Sequence, residues 1–362
     1  MNTAFKKELL FGLVVLALLA ALPLLSPGRV TLDFVIRLAA LGVFATSLNI
    51  LVGYGGMVSF GHAMFFGGGA YTFGLLMQRT DVSIPVALLG AIVFCSLLAW
   101  VIGMICVKLK EIYFSFLTLA FQMLIHSVII TWTSLTGGDQ GLMGGIPRRP
   151  FWGGINVADP NTLYWFCVVI GVASLLIMRY VLQSPFGYTL RMVRDNADRA
   201  RFLGIDVWRI RLYAFILAGA FAGIGGSLMA LFVSGAYPEF SYWTMSGEAV
   251  FMIMMGGINV FLGPIIGAGL LNIFNDIITR TTEYHGLALG VIVLIFALGF
   301  KRGITDFVES CITFSPRSVC NHDQKISQCG NWRLEWHWCG LRQAFSQARR
   351  FSGCARLAWH LV

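Results

Sequence analysis

His62 and Glu248 are of types that could pass a proton through apolar surroundings, and Ser59 is a polar neighbour of the first. Ser59 and His62 lie in LVGYGGMVSFGHAMFFGGGAYTFGLL (residues 51–76), and Glu248 lies in YWTMSGEAVFMIMMGG (residues 242–257). Ser59 and His62 are three apart and would share one helical face. Glu248 is an acidic residue inside an apolar run, and a carboxylate held away from water is costly enough to hint at function. It also falls near the start of its run, where water or the Ser246 hydroxyl would satisfy it. Both readings stand, and nothing in the spacing brings His62 to Glu248.

Other chemistry finds little support. There is no G-x-x-x-x-G-K-[ST] phosphate loop, no H-E-x-x-H, no G-x-S-x-G and no compact carboxylate cluster in the apolar runs. Five of the eight cysteines (Cys311, Cys320, Cys329, Cys339 and Cys354) come after residue 303, without the close pairs of a zinc site. The expectation is a chain with no metal, no cofactor and no catalytic residues of its own.

The elements that must hold these residues follow from composition. The chain is 57% hydrophobic and only 12% charged, where a soluble domain carries about 25% charged residues. Apolar runs close to the roughly 20 residues that cross a bilayer recur from the first residues onward. The runs predict an all-α, polytopic membrane protein of about ten transmembrane or re-entrant helices, near 9–26, 32–52, 56–77, 83–107, 112–133, 161–182, 211–233, 247–262, 264–280 and 286–300. The first run is read as a retained span, being longer than a signal-peptide core. With the N-terminus inside, twelve Lys and Arg fall in inner connections against five in outer ones. That bias puts both ends of the membrane region in the cytoplasm.

Glycine is the second theme. Gly53, Gly56, Gly61, Gly67 and Gly69 in the first half, and Gly256, Gly257, Gly263, Pro264 and Gly267 in the second, mark close helix packing or breaks. A tightly packed span is one reading of 51–76; a broken element lining a route is the other, since a freed backbone survives only where protein or water satisfies it. Gly263-Pro264 predicts a turn between two runs.

Two connections exceed hairpin length. The outer one, 133–161, is dense in Gly and Pro and predicts an irregular loop. The inner one, 183–211, predicts a short helix with Ser184 as N-cap and Pro185 in the first turn. Arg191 with Asp195, Asp195 with Arg199, and Arg194 with Asp198 fall four apart on its charged side, and Leu190, Val193 and Ala197 form the other. Residues 1–302 thus form a membrane domain. Residues 303–362, rich in scattered Cys, Trp, Arg and Ser without any apolar period, read as a tail of unknown structure or an out-of-frame, non-native ending.

The blocks NILVGYGGMVSFGHAMFFGGGAY, TGGDQGLMGGIP, SPFGYTLRMVRDNADRARFLGI, YWTMSGEAVFMIMMGG and LGPIIGAG, in that order between about residues 30 and 302, resemble the LivM-type permease of branched-chain amino-acid ABC importers. Asn259 and Val260 depart from the Gly-Thr or Gly-Ser of many relatives. The resemblance implies a subunit of a bacterial inner-membrane importer that passes branched-chain or similar small amino acids inward by alternating access. Its implied partners are a second homologous permease, two cytoplasmic ATPases that hydrolyse the ATP, and a periplasmic substrate-binding protein. It also implies that Pro185, Gly187, Leu190, Arg191, Arg194, Asn196, Ala200 and Gly204 couple this chain to an ATPase. The residues alone leave an alternative: a proton-coupled secondary transporter working through Glu248 and His62.

Overall fold

The computed structural model describes residues 28–109, 111–142, 145–147 and 159–281, with Leu287, Gly290 and Leu294. The expected span 9–26, most of the span 286–300 and the tail 303–362 lie outside the described residues. All regular structure among the described residues is helical. The helices are α1 (Arg29–Asn49), α2 (Ala63–Arg79), α3 (Ile84–Cys106), α4 (Glu111–Thr131), the single turn α5 (Thr133–Thr136), α6 (Pro160–Gln183), α7 (Pro185–Asp195), α8 (Ala197–Phe202), α9 (Val207–Val233), α10 (Trp243–Gly256) and α11 (Gly263–Thr281). A wider π turn, Ile50–Tyr54, extends α1.

Five of these helices are long and apolar enough to cross a membrane, namely α1 with its π turn, α3, α4, α6 and α9. Their packing inverts the pattern of a soluble protein. On α3 the buried stripe is small, with Ala87, Ala91, Cys95 and Ala99, while Val86, Leu89, Val93, Leu97 and Trp100 point outward. Water would penalise that arrangement; a bilayer favours it, because lipid rewards close backbone approach and not apolar burial.

Helix α9 is the axis, packed against α1, α2 and α3. Its run AGAFAGIGGS puts a glycine at each crossing: a Cβ on Gly226 would run into the Phe66 carbonyl, and a Cβ on Gly69 into Gly223. At the end of the bundle that holds α5, Arg79 donates to the Ser134 carbonyl at 2.8 Å, and Trp132 and Trp165 are exposed, as aromatic side chains are at a membrane interface. An Arg37–Asp276 ion pair of 3.5 Å joins α1 to α11.

Three boundaries differ from expectation. The span placed at 56–77 begins only at Ala63, because α1 runs through its π turn and the chain then passes without helix from Gly55 to His62. The run 247–262 is helical from Trp243 to Gly256. It stops there because Gly257 takes φ 115°, which other residues resist, so Gly263-Pro264 opens α11 instead of interrupting two spans. The inner connection is two helices: Asn196 is extended at φ −158° and caps α8 by accepting the Arg199 N–H at 2.8 Å. That break removes the helical spacing expected for Asp195 with Arg199 and Arg194 with Asp198; Asp198 pairs with Arg201 at 3.1 Å.

Helices α2 and α10 have 17 and 14 residues. At 1.5 Å per residue they reach about 25 and 21 Å, short of the roughly 30 Å hydrocarbon layer.

Candidate functional site

The non-helical segment 55–62 is held on both sides. Met57 N–H closes the end of α1 on the Leu51 carbonyl at 2.8 Å. Helix α4 supports the rest: Ser115 donates to the Val58 carbonyl, and a Cβ on Gly61 would strike the Thr118 carbonyl. Burial alternates along the strand-like stretch, with Met57, Ser59 and Gly61 inside and Val58 and Phe60 exposed.

His62 is fully buried, stacked on Phe44 at 5.5 Å and edge-on to Phe65. Its Nε2 lies 2.9 Å from Ser47 Oγ. Ser47 also donates to the Phe44 carbonyl at 2.7 Å. The other ring nitrogen, Nδ1, is buried without a partner. Ser59 Oγ, Thr46 Oγ1 and the Asn49 amide are likewise buried and unsatisfied, an uncommon concentration of orphaned polar groups.

A second polar cluster meets the first at the N-terminus of α2. The Ala63 N–H donates to Ser246 Oγ at 2.8 Å. Ser246 donates in turn to Gln122 Oε1 at 2.9 Å, and Gln122 Nε2 to the Ser241 carbonyl at 3.1 Å. His126 Nδ1 stands 3.1 Å from Ser241 Oγ, whose own proton goes to the Pro238 carbonyl. Four separate stretches, ending α1 and opening α2, along α4 and opening α10, thus bring buried hydrogen-bonding groups together. Spacing gives no sign of Ser47, Gln122, His126 or Ser241, and Ser246 stands out in the sequence only as a neighbour of Glu248.

Glu248 is half-buried on α10 and, among the described residues, has no hydrogen-bond or ion-pair partner. No such bond joins it to His62, whose ring is taken up by Ser47 and the phenylalanines. Gly67 backs onto Ser241, Gly256 onto the Gly263 carbonyl, and Gly267 onto the Met252 carbonyl, so α10 and α11 form a hairpin with backbones in contact. Within the connection 133–161 the described residues open on the single turn α5 and a 3-10 turn at Gly138–Gln140, and they are anchored: Leu142 N–H bonds the Ala236 carbonyl and Ile146 N–H the Ser234 carbonyl, both at 2.9 Å.

At the end where α1 passes into its π turn sits the charged element 184–206. Pro185 opens α7, Gly187 lies against Leu182, and Leu190, Val193 and Ala200 are buried. Ser184 sends its hydroxyl back to the Val181 carbonyl, leaving α7 without a side-chain cap. Gly204, at φ 81°, ends α8. Arg191 lies over the Tyr54 ring at 4.7 Å, and Arg194 donates to the Gly53 carbonyl. The exposed side carries Phe202 at 91% and Leu203 at 66% exposure, with Tyr188 and Met192 beside the arginines.

An apolar cleft of about 180 Å³ opens between α1, α6 and the start of α11, lined by residues such as Leu38, Val168, Leu175 and Phe261. Its one charged side chain is Arg179, whose guanidinium lies 5.8 Å from the Phe261 ring. No group of three or more potential metal ligands occurs among the described residues.

Long apolar helices with small-residue contacts, two shorter helices, and buried polar groups at their openings are the features of a multi-pass membrane protein of transport type. The chain belongs to the family described as branched-chain amino acid transport system / permease component, which it matches over residues 30–298. It is 26% identical over 321 residues to the high-affinity branched-chain amino acid transport system permease protein LivM of Escherichia coli (strain K12), covering 82% of this chain and 75% of that one. A probable LivM permease of Methanocaldococcus jannaschii is 24% identical over 69% of this chain and 81% of its own. The LivH permease of Salmonella typhimurium is 22% identical over 72% of this chain and 90% of its own. No solved structure is significantly similar to it.

Proposed function

We propose that this chain is one of two permease subunits of an ATP-driven importer that carries branched-chain or similar small amino acids into the cytoplasm by alternating access. The second permease is a homologue, two ATPases sit on the cytoplasmic side, and a periplasmic binding protein delivers the solute. The protein lies in a bacterial inner membrane with residues 184–206 in the cytoplasm, a placement that the Lys and Arg bias among the connections supports.

The observation that carries the reading is the exposed face of α7 and α8. Phe202 and Leu203 stand out among arginines on a short helical pair whose other side is buried in the bundle. Such an element transmits a rigid displacement and offers a partner protein an apolar anchor within a charged rim. The solute's route runs past Ser59 and His62, where orphaned buried polar groups and the opening of α2 face a passing amino acid. Glu248, half-buried on α10, borders that route.

Proton coupling through His62 and Glu248 has no supporting contact among the described residues. Co-purification tests the reading: tagged protein expressed with its ATPase subunits should retain them, and Phe202→Glu should release them while the permease still elutes as a single species. Retention by that variant would remove the α7–α8 face from docking.

A further inference from the structure

Arg194 ties the charged inner element to the chain break. Its Nη1 donates to the Gly53 carbonyl, 141 residues earlier in the chain, and its Cγ lies 3.0 Å from where a Cβ on Gly56 would stand. The π turn explains why that carbonyl is open to it. Met57 N–H closes on Leu51, so the Gly53 oxygen is met by the guanidinium. Arg191, one turn earlier on α7, lies over Tyr54, the next residue of the same turn. Leu190 and Val193 are buried, which fixes α7 against the bundle and leaves these two cations little freedom to move apart from it.

A cation at the C-terminal end of a helix is favourable in its own right, and a cap alone would need no further role. The position of both ends makes this bond a link. One end sits on α7, beside the face offered to an ATPase; the other sits on the last turn before the non-helical stretch that carries Ser59 and His62. Between Gly53 and Ser59 the chain has only Tyr54 to Val58, with no regular helix after Tyr54 to absorb a displacement.

We propose that Arg194 is a positioning residue that makes the break at 55–62 follow α7, so that a shift of α7 under its ATPase reaches Ser59 and His62 through the Gly53 carbonyl. This rests on the importer reading. When α7 moves, the guanidinium draws the end of the π turn with it; without the guanidinium, α7 moves alone.

The test uses the whole complex with its ATPases, in lipid nanodiscs. Val58, exposed and next to Ser59, is replaced by cysteine in a chain whose native cysteines are alanine, and its rate of maleimide labelling is measured without nucleotide and with a non-hydrolysable ATP analogue. The parent should show a rate change of about fivefold or more, the lower range of an energetic coupling between sites. Arg194→Ala should retain the ATPases and lose the change, and Arg194→Lys should fall between. A parental response in Arg194→Ala overturns the link and leaves the importer reading standing. Loss of the ATPases from that variant overturns it too, by making Arg194 a docking residue. A parent that keeps its ATPases but shows no response overturns the link alone; a parent that binds no ATPase overturns both. Should Arg194→Ala not elute as a single species, Arg194→Lys decides, and a full parental response in it overturns the proposal.

Discussion

Ser246 caps a helix that begins 183 residues before it: its hydroxyl accepts the Ala63 N–H at 2.8 Å and passes its own proton to Gln122. The opening of α2 is thereby locked to α10 and α4 in one chain of hydrogen bonds.

Removing that hydroxyl should be felt at two places. Ser246→Ala leaves the Ala63 N–H and the Gln122 oxygen buried without partners, a loss of about 1–3 kcal/mol. The expected outcome is a lowered midpoint of thermal unfolding in detergent, with Ser246→Thr close to the parent. Equal midpoints for the alanine variant and the parent would show that the cap contributes nothing.

The site's histidine and its neighbouring glycine should respond in the opposite order to what chemistry alone would suggest. His62→Ala gives up one hydrogen bond and two ring contacts, whereas a side chain on Gly61 must displace the backbone of α4 at Thr118. Gly61→Leu should abolish uptake, and His62→Ala should reduce it by a smaller factor. A complete loss in a well-folded His62→Ala protein would give the imidazole a direct part in passage.

The hairpin of α10 and α11 gives a graded pair. At Gly257, φ 115° makes alanine strained, at a cost of about 1–3 kcal/mol. At Gly256 an added Cβ meets the Gly263 carbonyl, and the two helices must separate. Gly256→Ala should therefore lower the unfolding midpoint more than Gly257→Ala; the reverse order would mean that backbone conformation outweighs contact here.

How much of this was legible in the sequence depends on whether the signal was local. Composition and run length identify a bilayer protein because every span carries the signal within itself. Glycine clusters near 53–69 and 256–267 likewise mark where the chain breaks and where backbones touch. Asn196 ends α7 by adopting an extended backbone that an i, i+4 charge pattern running straight through it conceals. The polar cluster was hidden for another reason: Ser47, Gln122, Ser241 and Ser246 are uncharged polar residues in or beside apolar runs, with partners 15 to 183 positions away. Such residues look alike whether they bond their own helix or another.

The most direct measurement is uptake of radiolabelled leucine into proteoliposomes holding this chain, its partner permease and the two ATPases. Uptake that requires both ATP and the substrate-binding protein, and that is indifferent to a proton gradient, is the predicted result. Leucine accumulation driven by a proton gradient in vesicles holding this chain alone would contradict it.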